Sequence, residues 1–146
     1  MSHVAKMEQL KQTIEKILGF SGLDFSVEVS KDPNLVNIFI RDEIVKDILP
    51  KLVSDLDHLV RVMAKKFQID RVQVDVNNYK KERERIIGEL AKAAARKAIA
   101  EKKEIILPAM NAYERRLVHV ELAIRPDVKT ESAGEGPERH IIVKPI

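Results

Sequence analysis

Apolar residues recur at helical spacing at Met7, Leu10, Ile14, Ile17 and Leu18, which predicts an amphipathic helix over 4–18 with one buried stripe. Gly19 and Gly22 end it. Phe25 to Val29 alternates apolar and polar positions, and Leu35 to Ile40 reads as its hairpin partner across the turn cluster Lys31-Asp32-Pro33-Asn34. A short helix is expected over 43–49. A longer one is marked by Leu52, Leu56, Leu59, Val60, Met63 and Phe67, and Ser54 with Asp57 is a capping pair if the chain breaks there. Arg71 to Val76 alternates again. The order of the first half is therefore helix, strand, strand, helix, helix, strand.

Asn77-Asn78 interrupts the pattern, and residues 79–103 form the longest helix, rich in Ala, Lys, Arg and Glu. Within it Ile86, Leu90, Ala94 and Ala98 share a face and are expected to pack inward. Ile105-Ile106-Leu107 is a short strand stopped by Pro108. Asn111 and Glu114 cap a helix over 112–124, stopped at Arg125-Pro126-Asp127. On that helix Tyr113, Leu117, Val120 and Ile124 are expected to face the core, with Arg115 and His119 on roughly the opposite side; Val118 and Leu122 also lie away from that face, so the helix is expected to be covered on two sides with the Arg/His pair at the rim of a cover. Val128 to Ser132 and Arg139 to Val143 read as two strands joined by 133–138.

Composition narrows the function. The chain has 146 residues, 45% hydrophobic and 34% charged, which suits a folded chain of one domain or two small ones. It has no cysteine, so disulfides, thiolate metal sites and a thiol nucleophile are excluded. The longest uncharged stretch, Ile105 to Tyr113, is too short to span a membrane, and residues 1–6 lack an apolar signal core; a cytoplasmic location is expected. The histidines His3, His58, His119 and His140 are dispersed, no metal-ligand spacing occurs, and no Walker loop or Gly-x-Ser-x-Gly elbow is present. No enzyme, cofactor or metal is expected.

Charge points elsewhere. The net charge is +3, but residues 1–77 sum to −1 and residues 78–146 to +4. A basic C-terminal half fits contact with a polyanion or an ordinary solvated surface. Lys81, Arg85, Lys92, Arg96 and Lys103 form one row along the long helix. Such a row fits a phosphate backbone, and equally a solvated helix with Glu82, Glu84 and Glu89 nearby. Arg115 and His119, four apart, project together; guanidinium and imidazole both bond phosphates and stack on bases, while a structural histidine is the alternative.

The run Met110-Asn111-Ala112-Tyr113-Glu114-Arg115-Arg116-Leu117-Val118-His119 resembles the signature of the R-3-H domain, named for its Arg-x-x-x-His core. Thr130 to Arg139 resembles the same domain's Ser-x-Gly-x-Gly-Pro-x-Arg hairpin, and Asp75-Val76-Asn77-Asn78-Tyr79 is similar to its entry. Together they resemble the bacterial Jag/KhpB family, in which a type II KH domain precedes the R-3-H domain. The resemblance implies an α+β architecture: a KH-like αββααβ domain over 1–77, then an R-3-H domain over 78–146 with a small sheet and two helices. The separate N-terminal Jag domain of many relatives is absent from this sequence.

The resemblance further implies binding of single-stranded RNA or DNA, a post-transcriptional role, and partnership with a small KH-domain protein or self-association through the KH-like half. It assigns contacts to Arg115 and His119, with Arg116 beside them, and to Arg139, Gly134 and Gly136 of the hairpin; the glycines serve either a phosphate or a tight turn. The basic residues Lys81, Arg85, Lys92 and Arg96 extend the candidate surface.

One departure stands out. KH domains grip the backbone with a GXXG loop between two helices, and here that place falls on Pro50-Lys51-Leu52-Val53. Proline offers no amide hydrogen and valine is bulky. The expectation is a degenerate loop, with the N-terminal half acting as scaffold or protein dock. A protein-interaction module with little nucleic-acid binding is the rival reading of the whole chain.

Overall fold

The computed structural model describes residues 1–31 and 34–146, which divide into two compact units, Met1–Lys81 and Glu82–Ile146. The turn expected at Lys31-Asp32-Pro33-Asn34 has its centre, Asp32 and Pro33, outside the described residues.

In the first unit, helix α1 (His3–Gly19) starts at Ser2, whose hydroxyl accepts from the Ala5 amide at 3.1 Å. That satisfies one of the free amides of the first turn. Strand β1 (Phe25–Lys31) pairs antiparallel with β2 (Asn34–Ile40), and β3 (Gln73–Val76) lies parallel to β2, giving the order β1-β2-β3. Alternation sends Val27, Val36, Ile38, Ile40, Val74 and Val76 to one face, where they are buried with Met7, Leu10 and Ile14 of α1. Val53, Leu56, Val60 and Ala64 of α2 (Leu49–Lys66) join the same core.

The element order is the expected one, with a difference at its centre. Residues Glu43–Ile48 form a 3-10 helix that runs directly into α2. Pro50, Lys51, Leu52 and Val53, expected as a degenerate loop, therefore form the first turns of α2, and the break before Ser54 does not occur. The cause is physical: proline is tolerated in a helix's first turn, where its missing amide hydrogen has no intrahelical partner to lose. Val53 is buried and anchors that turn, and Leu52 is partly buried against the same core.

The end of β3 builds the start of the next helix. Asp75 is the one buried polar residue among those described. Its carboxylate accepts from the amides of Val76 at 2.8 Å, Lys80 at 2.9 Å and Lys81 at 3.2 Å. It thus fills the amide positions that open α3 (Tyr79–Glu101). Asp75→Ala is expected to cost about 1–3 kcal/mol, because buried donors lose their acceptor. Urea unfolding checks this; a midpoint equal to the wild type's would contradict the assignment.

In the second unit, the remainder of α3 leads to β4 (Ile105–Ile106), α4 (Ala112–Leu122), β5 (Val128–Ala133) and β6 (His140–Pro145), an antiparallel sheet of order β4-β6-β5. Ile87, Ala91, Ala94, Ala95 and Ala98 of α3 pack with Val118 and Leu122 of α4 and with Val128, Ile141 and Val143 of the sheet. Small alanines allow close packing of α3 against this core.

Of the expected α3 face, Ala94 and Ala98 are buried and Leu90 packs partly, and only Ile86 is displaced; on α4 the expected face differs more widely. Ile87 is buried, whereas Ile86 is 43% exposed. On α4, Val118 and Leu122 are the buried residues, while Tyr113, Val120 and Ile124 are exposed and Leu117 only packs partly. Both stripes of α4 satisfy a 3.6-residue period, so periodicity alone left the choice open. The helix also ends at Leu122, so Ile124 lies beyond its last turn.

Candidate nucleic-acid interface

Helix α4 is fixed at its start by a reciprocal cap. The Asn111 side chain accepts from the Glu114 amide at 2.9 Å, and Glu114 accepts from the Asn111 amide at 3.3 Å. Because Val118 and Leu122 point inward, Arg115 and His119 flank the core instead of standing opposite it. Both are half-buried for that reason.

The sheet decides what His119 meets. The β5–β6 register sets Thr130 opposite Val143 and Ser132 opposite Ile141, so both hydroxyls lie on the core face at the edge strand. The His119 ring bridges them, with Nδ1 at 2.6 Å from Thr130 Oγ1 and Nε2 at 3.2 Å from Ser132 Oγ. Each hydroxyl has both donor and acceptor capacity, so a neutral ring is satisfied at both nitrogens. Thr130 and Ser132 were not singled out as contacts from the sequence. The signal was present in the alternation of Val128, Thr130 and Ser132, which places three residues on one face.

Arg115 and Arg139 meet through one backbone unit. Arg115 donates from Nη1 to the Met110 carbonyl at 2.6 Å, and the Met110 amide donates to the Arg139 carbonyl at 3.1 Å. Arg139 in turn donates from Nη1 to the Gly134 carbonyl at 2.9 Å, closing the hairpin end. Gly134 has φ +83°, and a Cβ there would stand 3.0 Å from the Glu138 carbonyl oxygen. The turn therefore requires glycine for conformation and for space. Gly136 has φ +56° but open space around it, so only its conformation is demanding. Arg115, His119, Gly134 and Arg139 are thus connected through α4, the 107–110 segment and the hairpin.

The α3 row is a separate feature. Arg85, Lys92 and Arg96 are exposed on the side of α3 away from Ile87, Ala91 and Ala98, and Lys81 is exposed in the first unit. The flank of α4 that faces α3 carries Glu114 and Glu121, bonded to Arg83 at 2.9 Å and Lys92 at 3.5 Å. Arg115 and His119 occupy the other flank, toward β5. The row and the Arg115/His119 pair therefore do not share one groove.

Ion pairing separates the two further. Arg85 is held by Glu82 at 2.6 Å, Lys92 by Glu121, and Arg125 by Asp127 at 2.7 Å. Lys144 is tied to Glu104 and Glu131 on the outer face of the sheet, and that bond keeps the Glu131 carboxyl below its ordinary range. Tyr113 is hydrogen-bonded to Glu84, which with partial burial pushes its hydroxyl up to about 12. By contrast, Arg115, Arg116 and Arg139 form no ion pair with any described residue. Three cations without carboxylate partners lie on or beside the half-buried histidine's helix and hairpin.

The family model described as the R3H domain matches residues 85–145, from within α3 through the capped helix and the hairpin. The second unit contains an R-3-H domain. Over a longer span the chain is similar to three proteins named RNA-binding protein KhpB. That of Clostridium symbiosum is 33% identical over 126 residues, 83% of this chain and 57% of that protein. That of Lactiplantibacillus plantarum is 34% identical over 95 residues, 64% of this chain and 30% of the relative. That of Bacillus subtilis is 35% identical over 78 residues, 52% and 38%. The chain thus spans between 30% and 57% of the length of these curated relatives. The resemblance to the Jag/KhpB family holds, and with it the α+β fold class. No helix among the described residues is long and apolar enough to cross a membrane.

Proposed function

We propose that this chain binds single-stranded RNA through the α4 flank and hairpin end of its R-3-H domain, as a non-enzymatic post-transcriptional regulator in the cytoplasm. The observation that carries this is the set of three arginines, Arg115, Arg116 and Arg139, with no carboxylate partner among the described residues, on helix α4, which carries half-buried His119, and at the end of the hairpin whose strand β5 holds its ring. Guanidinium groups left without a carboxylate attract phosphate, and whichever of the Thr130 and Ser132 hydroxyls accepts from the His119 ring keeps its own O–H to donate to a sugar or phosphate oxygen. The names of the KhpB relatives favour RNA over DNA. Gly134 and Gly136 shape the hairpin. Exposed Arg96 and Lys81, without ion pairs to described residues, are secondary contacts, and Arg85 and Lys92 are weaker candidates because glutamates hold them.

In this reading residues 1–77 are a KH-like domain without the usual backbone grip, since helical Pro50 to Val53 occupy the loop's place. Its role is then protein contact, with a small KH-domain protein or a second copy. The exposed apolar residues Ile44, Ile48 and Val62 favour such a contact.

A polarisation titration with oligouridylate at several salt concentrations tests the nucleic-acid reading. Three phosphate contacts predict a slope of log K against log[salt] of about −2, a loss of roughly 15-fold between 50 and 200 mM. Arg139→Ala should make that slope shallower by about 0.7. A slope near zero, or one untouched by Arg139→Ala, would contradict the proposal.

A further inference from the structure

The open face of the first unit's sheet carries a cleft of about 430 Å³ that the R-3-H domain does not use. Alternation that buries Val27, Ile38 and Ile40 beneath the helices turns Ser26, Glu28, Phe39 and Arg41 to the other side. Ser26 stands directly opposite Phe39 across the β1–β2 pair. Asn77 and Asn78 also line the cleft.

Each wall has a distinct chemistry. Phe39 supplies a partly exposed ring on which a planar group can stack. Arg41 is fixed by bonds from Nη1 to Asp24 Oδ1 and from Nη2 to Ser26 Oγ, both 3.1 Å. Two of its five N–H donors are used, and three remain. Glu28 is exposed, forms no ion pair with a described residue, and only accepts hydrogen bonds when ionised. Asn77 and Asn78 both adopt left-handed backbone, with φ 52° and 56°. Asn77 is accounted for by its side-chain bonds to the Ile40 amide at 2.7 Å and carbonyl at 3.0 Å. Asn78 also lines the cleft, and asparagine is one of the few residues that adopts this backbone readily.

These walls select among ligands. The Glu28 carboxylate disfavours a bare anion, and one carboxylate beside a guanidinium is no cation site. A stacking ring flanked by an acceptor-only group and a donor-only group fits a planar heterocycle with donors on one edge and acceptors on another. Guanine has adjacent N1–H and N2–H₂ donors for a carboxylate and O6/N7 acceptors for a guanidinium. Adenine, cytosine and uracil lack the paired donors. We propose that this cleft binds a guanine base, through Glu28, Arg41 and Phe39, independently of the RNA contacts assigned to the second unit.

The test is an amide-resolved titration of the full chain with the four nucleoside monophosphates. GMP should shift Ser26, Phe39, Arg41 and Asn78 and bind at least tenfold more tightly than AMP, CMP or UMP. Glu28→Gln, at an exposed position, should weaken GMP at least tenfold and remove the preference. Arg115→Ala should leave GMP binding unchanged, which keeps this site's failure distinct from failure of the RNA reading. An oligouridylate carrying one guanine identifies the source. Tighter binding than GMP at the same amides assigns a base within a strand, and GMP binding without strand contact at those amides assigns a free nucleotide. Equal response to all four nucleotides, no response, or a Glu28→Gln variant that binds GMP as the wild type does would overturn the proposal.

Discussion

Replacing Arg115 and His119 together by alanine is expected to weaken oligouridylate binding by about 30-fold to 1,000-fold. The range follows from about 2–4 kcal/mol for one charge-assisted hydrogen bond and one further contact. The substitution acts at two places. It removes a guanidinium that the Met110 carbonyl holds in position, and it frees Thr130 and Ser132 from the ring that orients them. Polarisation measurements on the double variant check the loss, with circular dichroism to establish that the fold is kept. Arg116→Ala supplies a gentler comparison, because Arg116 is exposed and its side chain forms no ion pair with a described residue. A double variant that is folded and binds within threefold of wild type would remove α4 from the interface.

The second large effect concerns stability. Ile87→Ala is expected to cost about 2–5 kcal/mol, and Ile86→Ala less than about 1 kcal/mol. The neighbours differ because Ile87 is 1% exposed and packs into the second unit's core, whereas Ile86 faces solvent. For a domain of this size each kcal/mol moves the midpoint by roughly 4–8 °C, so the variants should separate clearly in thermal unfolding. The same contrast is expected on α4, where Val118→Ala should destabilise and Val120→Ala should not. A reversed order at either pair would mean that the helices bury the faces their periodicity first suggested.

These two helices also show where the sequence stopped being informative. The first strand of the first sheet was legible because its alternation has one solution: in β1 (Phe25–Lys31) the apolar Phe25, Val27 and Val29 alternate with the polar Ser26, Glu28 and Ser30. The cap at Asn111 and Glu114 was legible because its chemistry is local. The buried face of α4 was not, since Tyr113, Val120 and Ile124 form as regular a stripe as Val118 and Leu122. Only the sheet and α3 decide which stripe is covered. Pro50 misled for a related reason. Proline reads as a break, but in a first helical turn it disrupts nothing. At the interface the motif residues were readable by resemblance, while the bridging of His119 between two hydroxyls depends on the β5–β6 register. The ion pairs that set Arg85 and Lys92 apart from Arg115, Arg116 and Arg139 depend on side chains brought together only by folding.

Amide-resolved mapping of the full chain with a guanine-free strand, oligouridylate, tests the central claim most directly. Shifts concentrated at Arg115, Arg116, His119, Ser132, Gly134 and Arg139 are the expected result. Shifts confined to Arg85, Lys92 and Arg96 or to the first unit, or none at low salt, would contradict it.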